Sequence, residues 1–444
     1  MPSFPLPLSA ALHGKRMLAP MVRVGTLPMR LLAHEYGADV VYTPEIVDKR
    51  IIASKRVVNE VLGTIDYIDS KGSLNLRVLP EEKKRLVFQM GTADPELAVK
   101  AALTVAQDVG YVDVNCGCPK HFSIQGGMGA ALLYNPDKLI SILEALVARA
   151  TVPVTCKIRM LEDRDKTLAL VDRIISTGIV ALAVHCRTKH MTPQDPGDWS
   201  IWEAITERFG HRLPIIANGD IFEGPDMDKA LATGKVSSVM LARSAMANPS
   251  VFAHPAPLTP IRDVMVRYVQ LAVQYDAIFQ NAKYVLLQMH PEPKSDQYLR
   301  LSKSRSLREM AALFGIEDQF EATIAARDQR RSELLAARAS IVAAVSTLEK
   351  EEEESLKPAQ KRARESPPAS SSADDDDAAA TAANGDGSAA DRDDALLGHR
   401  DWNRDGGIAA EFPHMPNAPY IPAHKKRRID ASADPTATTA EPTL

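Results

Sequence analysis

The chain has 444 residues, a formal charge of −4 and 45% hydrophobic side chains, so it can bury a large core but is too long for one ordinary domain unless that domain is a large barrel or part of the chain is unfolded. The charge is uneven: residues 351–444 carry 19 acidic and 11 basic side chains, leaving 38 and 42 for residues 1–350, a mildly basic body that permits a polyanionic partner. Four cysteines make no disulfide framework, no apolar run reaches the roughly 18 residues of a membrane span, and "MPSFPLPLSAALHGKR" has no secretory core, so a soluble protein of a reducing, cytoplasmic compartment is expected.

From residue 15 to 250 one theme repeats. Short apolar runs end in polar or small residues: "RMLAP" (16–20), "DVVYTPE" (39–45), "RLVFQM" (85–90), "YVDVNCG" (111–117), "VPVTCKIR" (152–159), "VALAVHCR" (180–187), "LPIIANGD" (213–220) and "SSVMLAR" (237–243). Their near-continuous apolar character predicts strands buried on both faces. Helix-like stretches lie between several of them, such as 94–110 and 135–150, each opening on Asp94 or Asn135 with proline next, which suits an N-cap followed by the first helical position. Eight units over this length predict an α/β fold, a (β/α)8 TIM barrel over residues 10–255. A doubly wound open sheet is the alternative, weakened because no G-x-G-x-x-G follows the first strand.

The proline-rich "NPSVFAHPAPLTP" (248–260) closes the barrel. After it, Ile261, Val264, Met265, Tyr268, Leu271, Ala272 and Tyr275 recur at helical spacing, which predicts an amphipathic helix and a helical domain over 256–350. Lys294, Arg300, Lys303, Arg305 and Arg308 read as an RNA-facing basic stretch or as a solvated face. Residues 351–444 read as a disordered acidic tail. Its basic clusters at 361–364 and 424–428 suit nuclear import, weak RNA contact or solubility, so a nuclear location stands beside the cytoplasmic one.

In such a barrel the chemistry collects at the C-terminal strand ends. The candidates there are Gln89, Asn115, Cys118, Lys157, Arg159, His185, Arg187, Asn218 and Arg243. The set is rich in cations and amides, with no carboxylate pair for glycoside chemistry and no metal-ligand cluster, which suits an anionic, electron-accepting ligand. The loops after the seventh and eighth strands, with Asn218, Gly219, Asp220, Ala242 and Arg243, are where barrel enzymes hold phosphate. One phosphate site and no dinucleotide fingerprint favour FMN over FAD. Lys157 could then stabilise a reduced flavin and Gln89 could bond its amide edge. "CGC" (116–118) could be a metal clip or redox pair, yet no second such pair exists. Alternation puts Cys116 on one face with Val112 and Val114, as packing, while Cys118 lies beyond the strand, before Pro119, with acid or nucleophile chemistry open to it.

The stretches "LAPMVRVGTLPMRLLAHEYGAD" (18–39), "VFQMGT" (87–92), "DVNCGCPK" (113–120), "GGMGAALL" (126–133), "PVTCKIR" (153–159), "AVHCR" (183–187) and "SSVMLARSAMANPS" (237–250) resemble the tRNA-dihydrouridine synthase family, in its eukaryotic branch acting at position 20 of the D-loop. The resemblance covers residues 10–320 in order. It implies an FMN barrel with a helical tRNA-binding domain, reducing the C5–C6 bond of uridine with NADPH (or NADH) as reductant, hydride passing from flavin N5 to C6. By position it makes Cys118 the acid that protonates C5. It aligns Ala19, Pro20, Met21, Gln89, Lys157 and His185 with flavin contacts, Asn218, Gly219, Ala242 and Arg243 with the phosphate end, and Asn115 and Arg159 with residues near the target base; Asp220 in the phosphate loop and Arg187 at its strand end are added to the cofactor and base sites by position. "NGD" stands where close relatives tend to have "NGG", which puts the detail of the phosphate loop at Asp220 in doubt, and "HCR" adds Cys186 beside the site. The alternatives from other classes are an FMN barrel acting on free pyrimidines and a flavin-free RNA-binding scaffold.

Overall fold

The computed structural model describes residues 11–364. The low-complexity stretch from 365 on, with the basic cluster at 424–428, lies outside the described residues.

The barrel strands are β1 (Arg16–Leu18), β2 (Val40–Tyr42), β3 (Leu86–Gly91), β4 (Tyr111–Cys116), β5 (Val154–Arg159), β6 (Ala181–His185), β7 (Ile215–Asn218) and β8 (Ser238–Leu241). Neighbours pair in parallel around the ring, β8 pairs with β1, and β2 pairs with β3, so the sheet closes. All eight expected runs supply a strand, and closure removes the open-sheet alternative. The helices at Pro95–Val105 and Pro136–Arg149 start as their sequences predict: the side chains of Asp94 and Asn135 accept from the backbone N–H of Leu97 and Lys138.

Period-two alternation sorts the strand side chains. Val112, Val114 and Cys116 join the large core between sheet and helices. Met17, Tyr42, Val87, Tyr111, Ala181, Ala183, Ile216 and Met240 form a separate apolar cluster inside the ring. Toward the C-terminal ends of the same strands, the alternating positions become Gln89, Asp113, Lys157, His185 and Asn218. The apolar plug thus forms a dry floor beneath a polar mouth.

Residues 55–78, between β2 and β3, form an antiparallel sheet of three strands that the strand–helix alternation does not anticipate: Lys55–Asn59, Thr64–Ile68 and Leu74–Val78. Arg77 pairs with Asp66 at 2.6 Å, both buried, and its Nη1 donates to the carbonyls of Tyr275 and Asp276 at 2.6 and 3.0 Å. The insert therefore braces the barrel against the helical region. That region comprises Ile261–Gln274, Phe279–Met289, Asp296–Lys303, Leu307–Leu313 and Glu317–Arg364. In its first helix Val264, Met265, Tyr268, Leu271 and Ala272 are buried, as their spacing predicts. The last helix runs past residue 350, where the unstructured tail is expected to begin, and ends on the basic cluster 361–364. Ala, Glu, Leu, Lys and Arg are frequent in it and are strong helix formers.

Candidate active site

Strand register lines up the polar mouth. Gln89 is opposite Asp113, Asn115 opposite Lys157, Arg159 opposite His185, and His185 opposite Asn218. Asp113, absent from the sequence candidates, organises one side. Its carboxylate accepts from Gln89 Nε2 at 2.9 Å and from Thr155 Oγ1 at 2.6 Å. Burial pushes its pKa up to about 6, against the pull of those two bonds and of Lys157. Because the Gln89 amide nitrogen is committed to Asp113, its oxygen is the atom left to accept from a ligand. Lys157 is pushed down to about 8 by burial and then by Arg159, with Asp113 opposing.

The other side is cationic. Burial, then Arg159, Lys157, Arg187 and Arg243, hold His185 well below the usual imidazole range. Its Nδ1 is buried with no hydrogen-bond partner among the described residues. Arg159 donates to the carbonyls of Gly117 and Thr188, both at 2.8 Å, and so ties the loop after β4 to the loop after β6; burial lowers it to about 10. Arg187 donates to the Asp195 carbonyl at 2.7 Å and to both Asp220 oxygens at 2.6 Å, while Arg243 reaches Asp220 at 2.7 Å. Asp220, in a left-handed conformation with φ 54°, also accepts from the Gly197 N–H at 2.8 Å. A carboxylate thus joins two guanidiniums at the strand ends where the sequence predicts phosphate. Gly219 has φ 113°, and a Cβ there would stand 2.6 Å from Cys186 Sγ, so this turn requires glycine. Asn218 spends its amide on the Met240 carbonyl at 2.9 Å, and Ala242 precedes the short helix that opens at Arg243. Ala19 donates to the Leu241 carbonyl at 2.8 Å, and the Met21 carbonyl accepts from Val24 and Gly25, so Ala19, Pro20 and Met21 form the turn leaving β1.

The two cysteines part company. Cys116 is fully buried, with Sγ 3.6 Å from Cys156 Sγ across the β4–β5 pair. Cys118 is partly exposed, in the loop beyond β4. Asn115 Oδ1 accepts from Gly117 N–H at 2.9 Å and shapes that exit. The Ala130 N–H donates to the Cys118 carbonyl at 3.0 Å, and at Gly129 (φ 59°) a Cβ would stand 2.7 Å from the same oxygen, so the glycine-rich loop closes on the Cys118 backbone. Burial, then the charge of Glu45, push the Cys118 thiol up. It is therefore a neutral S–H at physiological pH, suited to giving a proton rather than attacking. No cluster of three or more His, Cys, Asp or Glu able to hold a metal occurs among the described residues.

Three mouth residues escape the sequence candidates: Glu45, Asp113 and Ser123. Asp113 and Glu45 both lie in quoted strand runs. Alternation from Tyr111 would have turned Asp113 inward, and Glu45 ends its run.

The family model described as "Dihydrouridine synthase (Dus)" matches residues 17–338. The Schizosaccharomyces pombe protein named tRNA-dihydrouridine(20) synthase (NAD(P)+) is 45% identical over 284 residues, which are 62% of this chain and 59% of that one. The Saccharomyces cerevisiae protein of the same name is 40% identical over 300 residues, 63% of this chain and 77% of that one. The S. pombe tRNA-dihydrouridine(16/17) synthase is 32% identical over 271 residues, 61% and 64% of the two chains. The match thus spans about three-fifths of the length of either S. pombe relative.

Proposed function

Because the chain belongs to the dihydrouridine synthase family, we propose that it reduces the C5–C6 bond of a uridine in the D-loop of tRNA, at position 20, to 5,6-dihydrouridine. FMN is the cofactor and NADPH (or NADH) the reductant. Greater identity to the two relatives named for position 20 than to the one named for positions 16 and 17 supports the site.

The residues present fit FMN. An unpartnered His185 Nδ1, buried among four cations, needs a hydrogen-bonding partner, and the ring of positive charge around it favours an anion. Gln89 would hold the flavin amide edge and Lys157 its electron-rich edge, above the turn Ala19–Pro20–Met21. The backbone at Gly219 and Ala242, with Asn218 and Arg243, would hold the phosphate. When bound, FMN supplies the hydride for uridine C6.

The protein's own part is to bring the base to that mouth and supply a proton. A uridine within folded tRNA must leave its stack to reach the strand ends. Asn115, Arg159 and Arg187 would orient the base. Cys118 holds its proton on sulfur in the loop over the mouth and delivers it to C5. The helical region, carrying Arg300, Lys303 and Arg305, would hold tRNA phosphates, so affinity should fall with salt. The protein would act in the cytoplasm, and in the nucleus if its basic clusters direct import.

One observation carries the reading: of four cysteines, Cys118 is the one that is not fully buried, and it lies at the cation-lined mouth. The test is dihydrouridine formation, with NADPH, on unmodified tRNA and on free uracil. Reduction of tRNA but not uracil supports the reading. Preference for free uracil favours a pyrimidine reductase, and a purified protein that cannot take up FMN favours a scaffold.

A further inference from the structure

Glu45 lies between β2 and the two-residue strand Ile46–Val47, which pairs with Met90 and Gly91 at the mouth end of β3. This places its carboxyl over Gly91, where an added Cβ would stand 2.6 Å from Oε1. Glycine at 91 makes room for it. Oε1 is buried with no hydrogen-bond partner among the described residues. The polar groups beside the carboxyl are the Asn115 side chain and the Cys118 thiol, close neighbours rather than well-formed hydrogen bonds. Ser123, whose Oγ is likewise buried without a partner, flanks the same thiol.

A structural acid buried in a fold is normally paired. Glu82 is paired with Arg30 and Asp66 with Arg77. Glu45 makes no salt bridge among the described residues, and burial raises its pKa. Its position makes sense if its partner is the sulfur. The cations that face Cys118 are Lys120 on its own loop and Lys157 and Arg159 on β5. All three favour the thiolate, and Glu45 is the charge that opposes them.

We propose that Glu45 is a positioning residue for the Cys118 proton: it keeps the thiol neutral between turnovers and returns a proton to the sulfur after transfer. This rests on Cys118 as the acid of the proposed reaction. When Cys118 has given its proton to C5 it is a thiolate. Beside that thiolate the Glu45 carboxylate takes a proton from hydronium, leaving water; its new O–H bond then breaks as the S–H bond forms, and the carboxylate is restored.

The test reads the thiol directly. Iodoacetamide alkylation of Cys118, followed by mass spectrometry of its peptide across a pH series, is compared for wild type, Glu45→Gln, Glu45→Asp and Gly91→Ala. Glu45→Gln should lower the ionisation midpoint by about one pH unit, making alkylation roughly tenfold faster at a fixed pH below it. Glu45→Asp should stay near wild type. Gly91→Ala, whose methyl displaces the carboxyl, should shift the same way as Glu45→Gln and serves if that variant fails to fold. Superimposable profiles for wild type and the folded variant overturn the proposal. Because alkylation needs no turnover, an inactive enzyme with a shifted profile would count against the tRNA reading and not against the Glu45–Cys118 coupling.

Discussion

Asp220 accepts both of its shortest hydrogen bonds from Arg187 Nη2, at 2.6 Å to each oxygen, and also takes Arg243 at 2.7 Å. The two guanidiniums nearest the proposed phosphate position already have an anion. A bound phosphate would share them with a like charge. Asp220→Asn keeps an oxygen for the Gly197 N–H and tolerates the left-handed backbone while removing the charge. The variant should bind FMN about fivefold more tightly, corresponding to a screened repulsion of about 1 kcal/mol. Flavin fluorescence quenching on titration measures it.

Asp113 fixes Gln89 and Thr155 together at the floor of the mouth. Asp113→Ala strands two buried polar groups and lets the Gln89 amide turn over. It should cost about 1–3 kcal/mol of stability, read by thermal melting, and weaken FMN by about tenfold.

Lys157 carries its charge below about pH 8 and loses it above. In the flavin-free protein, affinity for FMN should therefore fall as pH rises through that value. A bound anion favours the charged form and moves the fall upward. Lys157→Met should bind weakly at all pH values, with a flatter profile across the same range.

The antiparallel insert depends on Arg77, which pairs with Asp66 and caps two carbonyls of the helical region. Arg77→Ala leaves Asp66 buried without its cation and should cost about 3–5 kcal/mol. If the brace orients the helical region for RNA, tRNA affinity should drop more than FMN affinity does.

The barrel is legible because its strands are apolar on both faces and end in groups that burial alone would not tolerate. The insert at 55–78 is not: its short strands mix buried Val57 and Tyr67 with exposed Lys55 and Val58, so no period dominates. Cys116 and Cys118 separate in sequence terms through alternation, but the partner of Cys116 is Cys156, forty residues on, brought near by strand pairing. Alternation turns Asp113 inward and Glu45 ends its run, but the neighbours that give each its role come from other strands. In the last helix, a charged Ala- and Glu-rich composition reads as low complexity although the same residues favour helix.

The most direct test of the central claim replaces one thiol at a time. Cys116→Ala should leave dihydrouridine formation intact, costing about 1 kcal/mol of stability for the small cavity beside Cys156. Cys118→Ala should bind FMN and tRNA as wild type does, with its flavin still reduced by NADPH, yet form dihydrouridine in tRNA at least about a hundredfold more slowly. Wild-type dihydrouridine formation by Cys118→Ala would contradict the assignment of the proton to this sulfur.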